Sequence, residues 1–418
     1  MHPCLKKTRQ RRQHPVAVAL SLLMGVSSLL SVPVNAQGSL LPAGHDTPTD
    51  DTSHAPRRHP LSGWQWGLVL DVAALSRALT LGNRQQGLAL GHSDLSTHGS
   101  LGRHLHAQLT VAAHHHHDRL DTELEESWLQ TRTLPDGLDL RLGRFASQIG
   151  YLNEQHPHDD DFVERPLLYR AFLGGHWFDD GLRLNWTAPT ALYLRLGAEV
   201  FRGRRLVQQA TAASARRRLA TTVLSVRAGD DIGDSHSWQA GIGWLHNRRD
   251  ASREDDHHHD HDDHDHGHDG HVHAHGAAFS GRHLVLVELT WKWAPAQDNH
   301  RRQLRLHAEH ARITGLGPFA RPHHVDQASY LAAIWRLAPG WETGIRLDWL
   351  RVQMPHVDHF HAGRLQERSL MLVWKPLHTQ SLRLQLSQQH RSLGMPATAR
   401  SLMLHYVIGF GAHGAHAF

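Results

Sequence analysis

Cysteine is almost missing: the 418-residue chain has one, Cys4, and it lies ahead of an apolar run, not behind it. That position does not suit lipidation, and removal of the leading segment on export leaves no cysteine. A disulfide scaffold and a thiolate zinc finger are both excluded. Past that run, no stretch is long and apolar enough for a membrane helix. A nucleophile motif, a phosphate loop and a nucleic-acid module are missing too. No enzyme class is indicated and no nucleic-acid partner is expected; a barrel hydrolase would need a Ser–His pairing that spacing does not reveal. The formal net charge of +4 takes His as neutral and includes the leading segment, so it discriminates little.

The chain opens with Lys6, Lys7, Arg9, Arg11 and Arg12, followed by an apolar run from Val16 to Val34. With Val34 and Ala36 ahead of Gln37, residues 1–36 read as a cleaved signal peptide. The run is long enough for an uncleaved anchor as well, but Pro33 and the cleavage pattern favour removal. Residues 37–62 are Pro, Asp, Thr and His without periodicity, and read as a disordered periplasmic leader.

From residue 63 to 418 the dominant period is two. Leu138, Leu140 and Leu142 alternate with Asp139, Arg141 and Gly143, and Ile345, Leu347 and Trp349 alternate with Gly344, Arg346 and Asp348. Each such strand has one apolar and one polar face. A soluble sandwich alternates too, but three features favour an all-β, transmembrane antiparallel β-barrel. The segments are about ten residues long, as a tilted strand crossing a bilayer requires. Trp64, Trp66, Trp291, Trp293, Trp335 and Trp341 fall near strand ends, as an aromatic girdle would. Leu402, Leu404, Tyr406, Ile408, Phe410 and the terminal Phe418 share one phase, and an aromatic last residue resembles the assembly signal of bacterial outer-membrane barrels.

The connections alternate in length. Short ones fall at 135–137, 189–190, 229–235, 295–300, 338–340 and 376–380. Long ones fall at 148–180, 203–216, 249–281, 314–326, 355–363 and 392–400. Short periplasmic turns and long outer loops are the barrel rule, so both chain ends face the periplasm and the strand number is even. Parity requires a strand between Trp64–Ala74 and Leu101–Ala113, expected within Arg84–His92. The total is sixteen, or fourteen as the fallback. Sixteen strands enclose an aqueous channel.

Within the outer loop 249–281, residues 253–276 read R-E-D-D-H-H-H-D-H-D-D-H-D-H-G-H-D-G-H-V-H-A-H-G. Too little is apolar to offset ordering, so a solvated, mobile loop is expected. Its His257, His258, His259, His261, His264, His266, His268, His271, His273 and His275, interleaved with carboxylates, form a ligand set for Zn²⁺, Ni²⁺ or Cu²⁺ without thiolate. The competing account is a hydrophilic low-complexity loop without a ligand. The run His114–His117 is placed in a short outer loop. His104 and His106 are placed on the lumenal face of one strand, as metal waypoints or as ordinary hydrogen bonders. His156 and His158 fall in the long loop after strand four. No cofactor is required; metal is ligand or cargo.

The wording of Leu138–Thr190, with L-R-L-G-R-F, Q-I-G-Y and D-F-V-E-R, resembles the phosphate-selective porin class. G-Y-L-N-E-Q-H-P-H, G-A-E-V-F-R-G, G-D-D-I-G-D-S-H-S-W and the final G-A-H-G-A-H-A-F are similar to barrels labelled zinc-regulated outer-membrane receptors. The resemblance implies a porin-like barrel in the outer membrane of a Gram-negative cell, in contact with its lipid, with the 148–180 loop folded inward and homotrimers common. About 380 residues beyond the cleavage point cannot supply a plug domain and a 22-stranded barrel, and no energy-coupling box lies near Gln37. Passive passage is therefore expected. Arg141, Arg183, Arg195, Arg305, Arg346 and Arg383 all fall on polar faces, which supports the alternative of an anion-selective, phosphate-type porin with an incidental His loop.

Overall fold

Alternation of apolar and polar residues leaves each strand one face for lipid and one for the interior, and closing the sheet removes its edges. The computed structural model describes residues 63–411 except 117–118, 207–218, 250–278, 280, 297, 299, 318–319, 357–358 and 393–396. The signal, the leader, most of the His/Asp loop and Phe418 lie outside the described residues. The first nine strands are β1 (Gln65–Leu75), β2 (Gly87–Leu90), β3 (Ser93–Leu101), β4 (Leu105–His116), β5 (Arg119–Thr131), β6 (Leu138–Ala146), β7 (Phe178–Thr187), β8 (Tyr193–Phe201) and β9 (Thr221–Ile232). The others are β10 (His236–Asn247), β11 (His283–Trp293), β12 (Gln303–Thr314), β13 (Asp326–Ala338), β14 (Trp341–His356), β15 (His359–Trp374), β16 (Gln380–Arg391) and β17 (Ala397–Gly411).

Every pairing is antiparallel between chain neighbours, and β1 closes on β17 from Gly67↔Gly411 to Leu75↔Met403. The other edge of β1 is shared: β3 pairs with Gln65–Val69 and β2 with Val72–Leu75. β2 and β3 thus occupy one place, and the barrel has sixteen, with the short β2 as the extra strand. The second strand is not confined to Arg84–His92, as parity reasoning expects; it runs on to Leu101 with a break at Gly91–His92. Glycine is needed at the break, because a Cβ at Gly91 would collide with Arg84 and Asp71, which pair there.

Three other expectations are corrected. His114–His116 belong to the end of β4, not to a loop. Strands β14 and β15 continue to His356 and from His359, so most of 355–363 is hairpin. The long connection 147–177 follows the fifth barrel place, not the fourth.

Outside, Leu95, Leu142, Val226, Val287, Leu331, Leu370 and Leu386 are among the exposed apolar residues, in phase with Trp66, Trp186, Trp335, Trp341 and Trp374 toward the periplasmic turns. That belt places the barrel in the outer membrane. Inside, residues 147–177 cross the lumen. They carry a 3₁₀ turn at Pro157–Asp159 and one short helix, α1 (Leu167–Phe172). Leu167, Leu168, Tyr169 and Phe172 pack in one buried cluster with Leu284, Leu286, Ile313, Tyr330 and Leu350 of the wall. The wall is apolar on both faces here, as in L-V-L-V at 284–287, because the crossing segment covers its inner side. Polar pins fix α1: Leu167 N–H donates to Asp348 Oδ1 at 2.9 Å, Tyr169 O–H to Glu309 Oε1 at 2.9 Å and Arg170 Nη2 to Glu367 Oε2 at 2.5 Å.

Candidate metal centre in the barrel lumen

Two register slips and the crossing segment build this site. Along β4 and β5, Thr110 pairs with Glu126 but Val111 pairs with Leu124, which leaves Glu125 as the extra residue of a bulge. Glu125 and Glu126 are consecutive, yet both are buried toward the lumen. The β2–β3 break likewise brings His92 beside Asp94. The crossing segment adds His156 and His158 on either side of Pro157, and His176 near its far end. His156 is held extended (φ −73°, ψ 144°), as the residue before proline should be.

His92 Nε2, an Asp94 oxygen, a Glu125 oxygen and a His156 ring nitrogen all lie within 4.8 Å of one another. His92 Nε2 is 3.0 Å from both Asp94 Oδ1 and Glu125 Oε2. His156 Nδ1 is 3.1 Å from Asp94 Oδ2, and His158 Nδ1 is 3.2 Å from the same oxygen. His176 Nδ1 stands 3.4 Å from Glu125 Oε1, and Glu126 Oε2 is 3.6 Å from His156 Nε2. Despite these distances, both Asp94 oxygens and the Nδ1 atoms of His156 and His158 have no hydrogen bond of proper direction. Their lone pairs converge on the space between them. A shared cation satisfies that arrangement, and the imidazole–carboxylate donor set without sulfur suits Zn²⁺, Ni²⁺ or Cu²⁺.

The electrostatics agree. Asp94 and Glu125 are 3% and 1% exposed, and among the described residues their charge partners are imidazoles alone, with no Lys or Arg. Burying unpaired carboxylates is costly, so the site needs either protonated imidazoles or a cation. Burial works against charge on His156, yet the carboxylates of Asp94, Glu125 and Glu126 outweigh it and hold its pKa well above the usual imidazole value. Burial pushes His176 down to about 4, so it stays a neutral donor. A divalent ion would replace the proton on His156.

Of the residues expected to touch metal, only His156 and His158 meet here. His106 faces the lumen but packs on Trp128 (ring centroids 5.7 Å) and near His98 (5.9 Å). It pairs with Gln130, four residues down β5 from Glu126, or roughly 13 Å at ~3.3 Å per residue. His104 is a correction: it sits in the exposed turn between β3 and β4, with Nδ1 2.8 Å from Thr133, because β4 starts only at Leu105. His257 to His275 lie outside the described residues. His92, Asp94, Glu125, Glu126 and His176 escape sequence reasoning. One signal for two of them exists in T-E-L-E-E-S-W-L, where the alternation skips a phase at Glu125–Glu126.

Three of the lumenal arginines are paired with carboxylates. Arg183 pairs with Glu199 at 2.6 Å, Arg346 with Asp348 at 2.7 Å and Glu367 at 2.9 Å, and Arg305 with Asp161 at 2.6 Å. Arg383 donates to the His158 carbonyl at 3.2 Å, and Arg141 stacks over Trp128 at 3.9 Å. Below the crossing segment a cavity of about 590 Å³ is lined by His158, Asp159, Arg305, Lys375, His378 and Thr379, among others. His158 therefore borders both the centre and a chamber at the periplasmic turns.

The fold is similar to that of OprB from Pseudomonas putida in its high-pH structure, with 13% identity over 83% of this chain and 94% of that chain and a TM-score of 0.56. It is also similar to a loop L8 deletion mutant of OmpT, an outer membrane protein of Vibrio cholerae, with 9% identity over 83% and 98% of the two chains and a TM-score of 0.51. In sequence, the chain is 25% identical over 357 residues to an uncharacterized protein of Aquifex aeolicus, which covers 80% of this chain and 71% of that one. No family profile matches.

Proposed function

We propose that the barrel is a porin-like channel of the outer membrane that captures a divalent transition metal, zinc foremost, and delivers it to the periplasm. The observation that carries this reading is the convergence of His92, Asp94, Glu125 and His156 on one point in the lumen, with no Lys or Arg partner at Asp94 or Glu125 among the described residues. The His/Asp loop would raise the metal concentration at the mouth through weak, redundant ligands that exchange quickly. The lumenal centre is the next station, and His158 leads from it to the periplasmic chamber. Conduction needs binding strong enough to admit the ion and weak enough to release it. Nearby spare donors such as His158, His176 and Glu126 suit hand-over better than a closed four-ligand site.

The test combines two measurements. Purified protein in planar bilayers should give stable conductance steps, and micromolar zinc on the outer side should reduce current by occupying the lumenal centre. Zinc-starved cells should take up less zinc at limiting supply when residues 253–276 are deleted, and should recover when zinc is plentiful. Stronger expression in zinc-starved than in phosphate-starved cells would accord with the zinc assignment. A silent bilayer with folded protein, or uptake indifferent to both the loop and the centre, refutes the proposal. The anion-selective alternative draws on Lys292, Arg305, Arg336, Lys375 and Arg383 around the chamber. A strongly anion-selective reversal potential, together with zinc-independent current, would favour it.

A further inference from the structure

On the outer face of β14–β17, the lipid-facing phase ends in guanidinium groups. Arg351 and Arg364 are direct cross-strand partners, and Arg368 pairs with Gln388, which pairs with Arg400. All four arginines are exposed. Their orientation follows from phase: Trp349, Leu370, Leu386 and Leu402 are exposed on the same faces, while Asp348, Glu367, Ser387 and Ser401 are buried on the opposite ones. Arg368 stands two residues beyond Leu370 toward the outside, roughly 7 Å along the strand. The cluster therefore lies at the outer margin of the apolar belt, at headgroup level.

Among the described residues of these strands no carboxylate answers it. On these strands Glu342, Asp348 and Glu367 point into the lumen, where Arg336, Arg346 and Arg170 use them. Among the described residues the only hydrogen-bond partner of the four guanidinium groups is Gln388, whose Oε1 accepts from Arg400 Nε at 3.3 Å. Like charges directly opposite across a strand pair are destabilising. The outer rim keeps four of them, and among the described residues of these strands nothing of opposite sign shares that face.

We propose that this patch is a docking site for the phosphate groups of the outer-leaflet glycolipid, the phosphorylated lipid A type of headgroup. Guanidinium is the side chain suited to phosphate, since it binds two oxygens at once. The apolar rows just below (Leu370, Leu386, Leu402) would lie along the acyl chains of the same lipid. A phosphate monoester seated between Arg351 and Arg364 turns their repulsion into a shared ion pair, and Arg368, Gln388 and Arg400 offer a second seat two outward-facing rows lower. A second copy of this surface is disfavoured as the occupant, since it would bring cations against cations.

The test uses the full mature chain and a variant with Arg351, Arg364, Arg368 and Arg400 all changed to Gln. The unheated gel mobility of the barrel checks that the variant folds. Each protein is reconstituted in phosphatidylcholine vesicles with bis-phosphorylated or dephosphorylated lipid A, and heat unfolding is followed. The parent should unfold at higher temperature with the phosphorylated lipid only, and the variant should lose that difference. Native mass spectrometry should show glycolipid retained on the parent and absent from the variant. Equal unfolding temperatures of the parent in both vesicles overturn the proposal. An equal shift from millimolar inorganic phosphate without lipid A makes this a free-anion site and overturns it. A lipid-independent oligomer lost in the variant overturns it in favour of a subunit interface. If the variant fails to fold, R351Q with R364Q alone must reduce the lipid-dependent shift, and an unchanged shift again refutes the docking site.

Discussion

Asp94→Asn separates a metal centre from a merely structural cluster, because only a metal centre predicts a loss of metal affinity. Asp94 is 3% exposed and has His92, His156 and His158 at 3.0, 3.1 and 3.2 Å. Asparagine keeps the shape and one acceptor oxygen but removes the charge. Without metal, protonated His156 balances this carboxylate, so the change breaks a buried ion pair and should lower heat stability. With metal, it removes a charged ligand. Loss of an outer partner of a ligand typically costs ~10–100-fold in affinity, so loss of the ligand itself should cost at least ~100-fold, or about 2.7 kcal/mol. Calorimetry with Zn²⁺ on the detergent-purified chain, with and without residues 253–276, isolates the lumenal site from the loop. Parallel heat scans with and without metal give the stability half. An affinity within about threefold of the parent would refute the metal assignment, since ligand loss cannot be that mild. A metal-free variant as stable as the parent would show that no protonated imidazole depends on Asp94.

Acidification should weaken zinc binding at the centre, and earlier than at the loop. His156 holds its proton above the usual imidazole range, so metal must displace a proton there as soon as pH falls toward that raised value; a loop imidazole protonates only near ~6.5. Titrations at pH 8, 7 and 6 should show the lumenal affinity dropping first, and a loop site lost first would contradict this. His176→Ala should change affinity only modestly, because that ring is neutral and 3.4 Å from Glu125 rather than in the inner set. Glu367→Ala removes the acceptor of Arg170 and Arg346, all three buried, and should loosen the crossing segment at a cost of ~3–5 kcal/mol. The readout is larger single-channel conductance and protease cleavage within 147–177; an unchanged channel would show that apolar packing alone holds the segment. Deleting 253–276 should leave single-channel conductance as it was, since those residues supply capture and not the wall.

The barrel was legible in the residues because its determinants are local. Period-two alternation needs only neighbours along one strand, and Pro- and Gly-rich turns announce themselves, so strand parity and the side of each loop follow without any long-range contact. The inward position of 147–177 came from family resemblance and not from periodicity. Two of the failed expectations trace to one-residue events. The start of β4 at Leu105 puts His104 in a turn, and the slip at Gly91–His92 stretches the second strand past its expected end.

The sequence by itself determined a closed antiparallel barrel in the outer membrane, and it supplied imidazole and carboxylate in abundance with almost no thiolate. Which of the 42 histidines meet was decided only by tertiary structure. The centre takes His92 and Asp94 from one strand break, Glu125 from a bulge and His156 from a segment crossing the lumen. Closure brings these distant parts of the chain together, and no periodicity encodes that proximity. The arginines show the same division. Their phase places them inside, but whether Arg183, Arg305 and Arg346 act as free charges depends on Glu199, Asp161 and Glu367 arriving from other elements. Once those carboxylates are in place, the lumenal arginines hold the barrel's interior together, and the imidazole cluster keeps carboxylates that only a proton or a metal can balance.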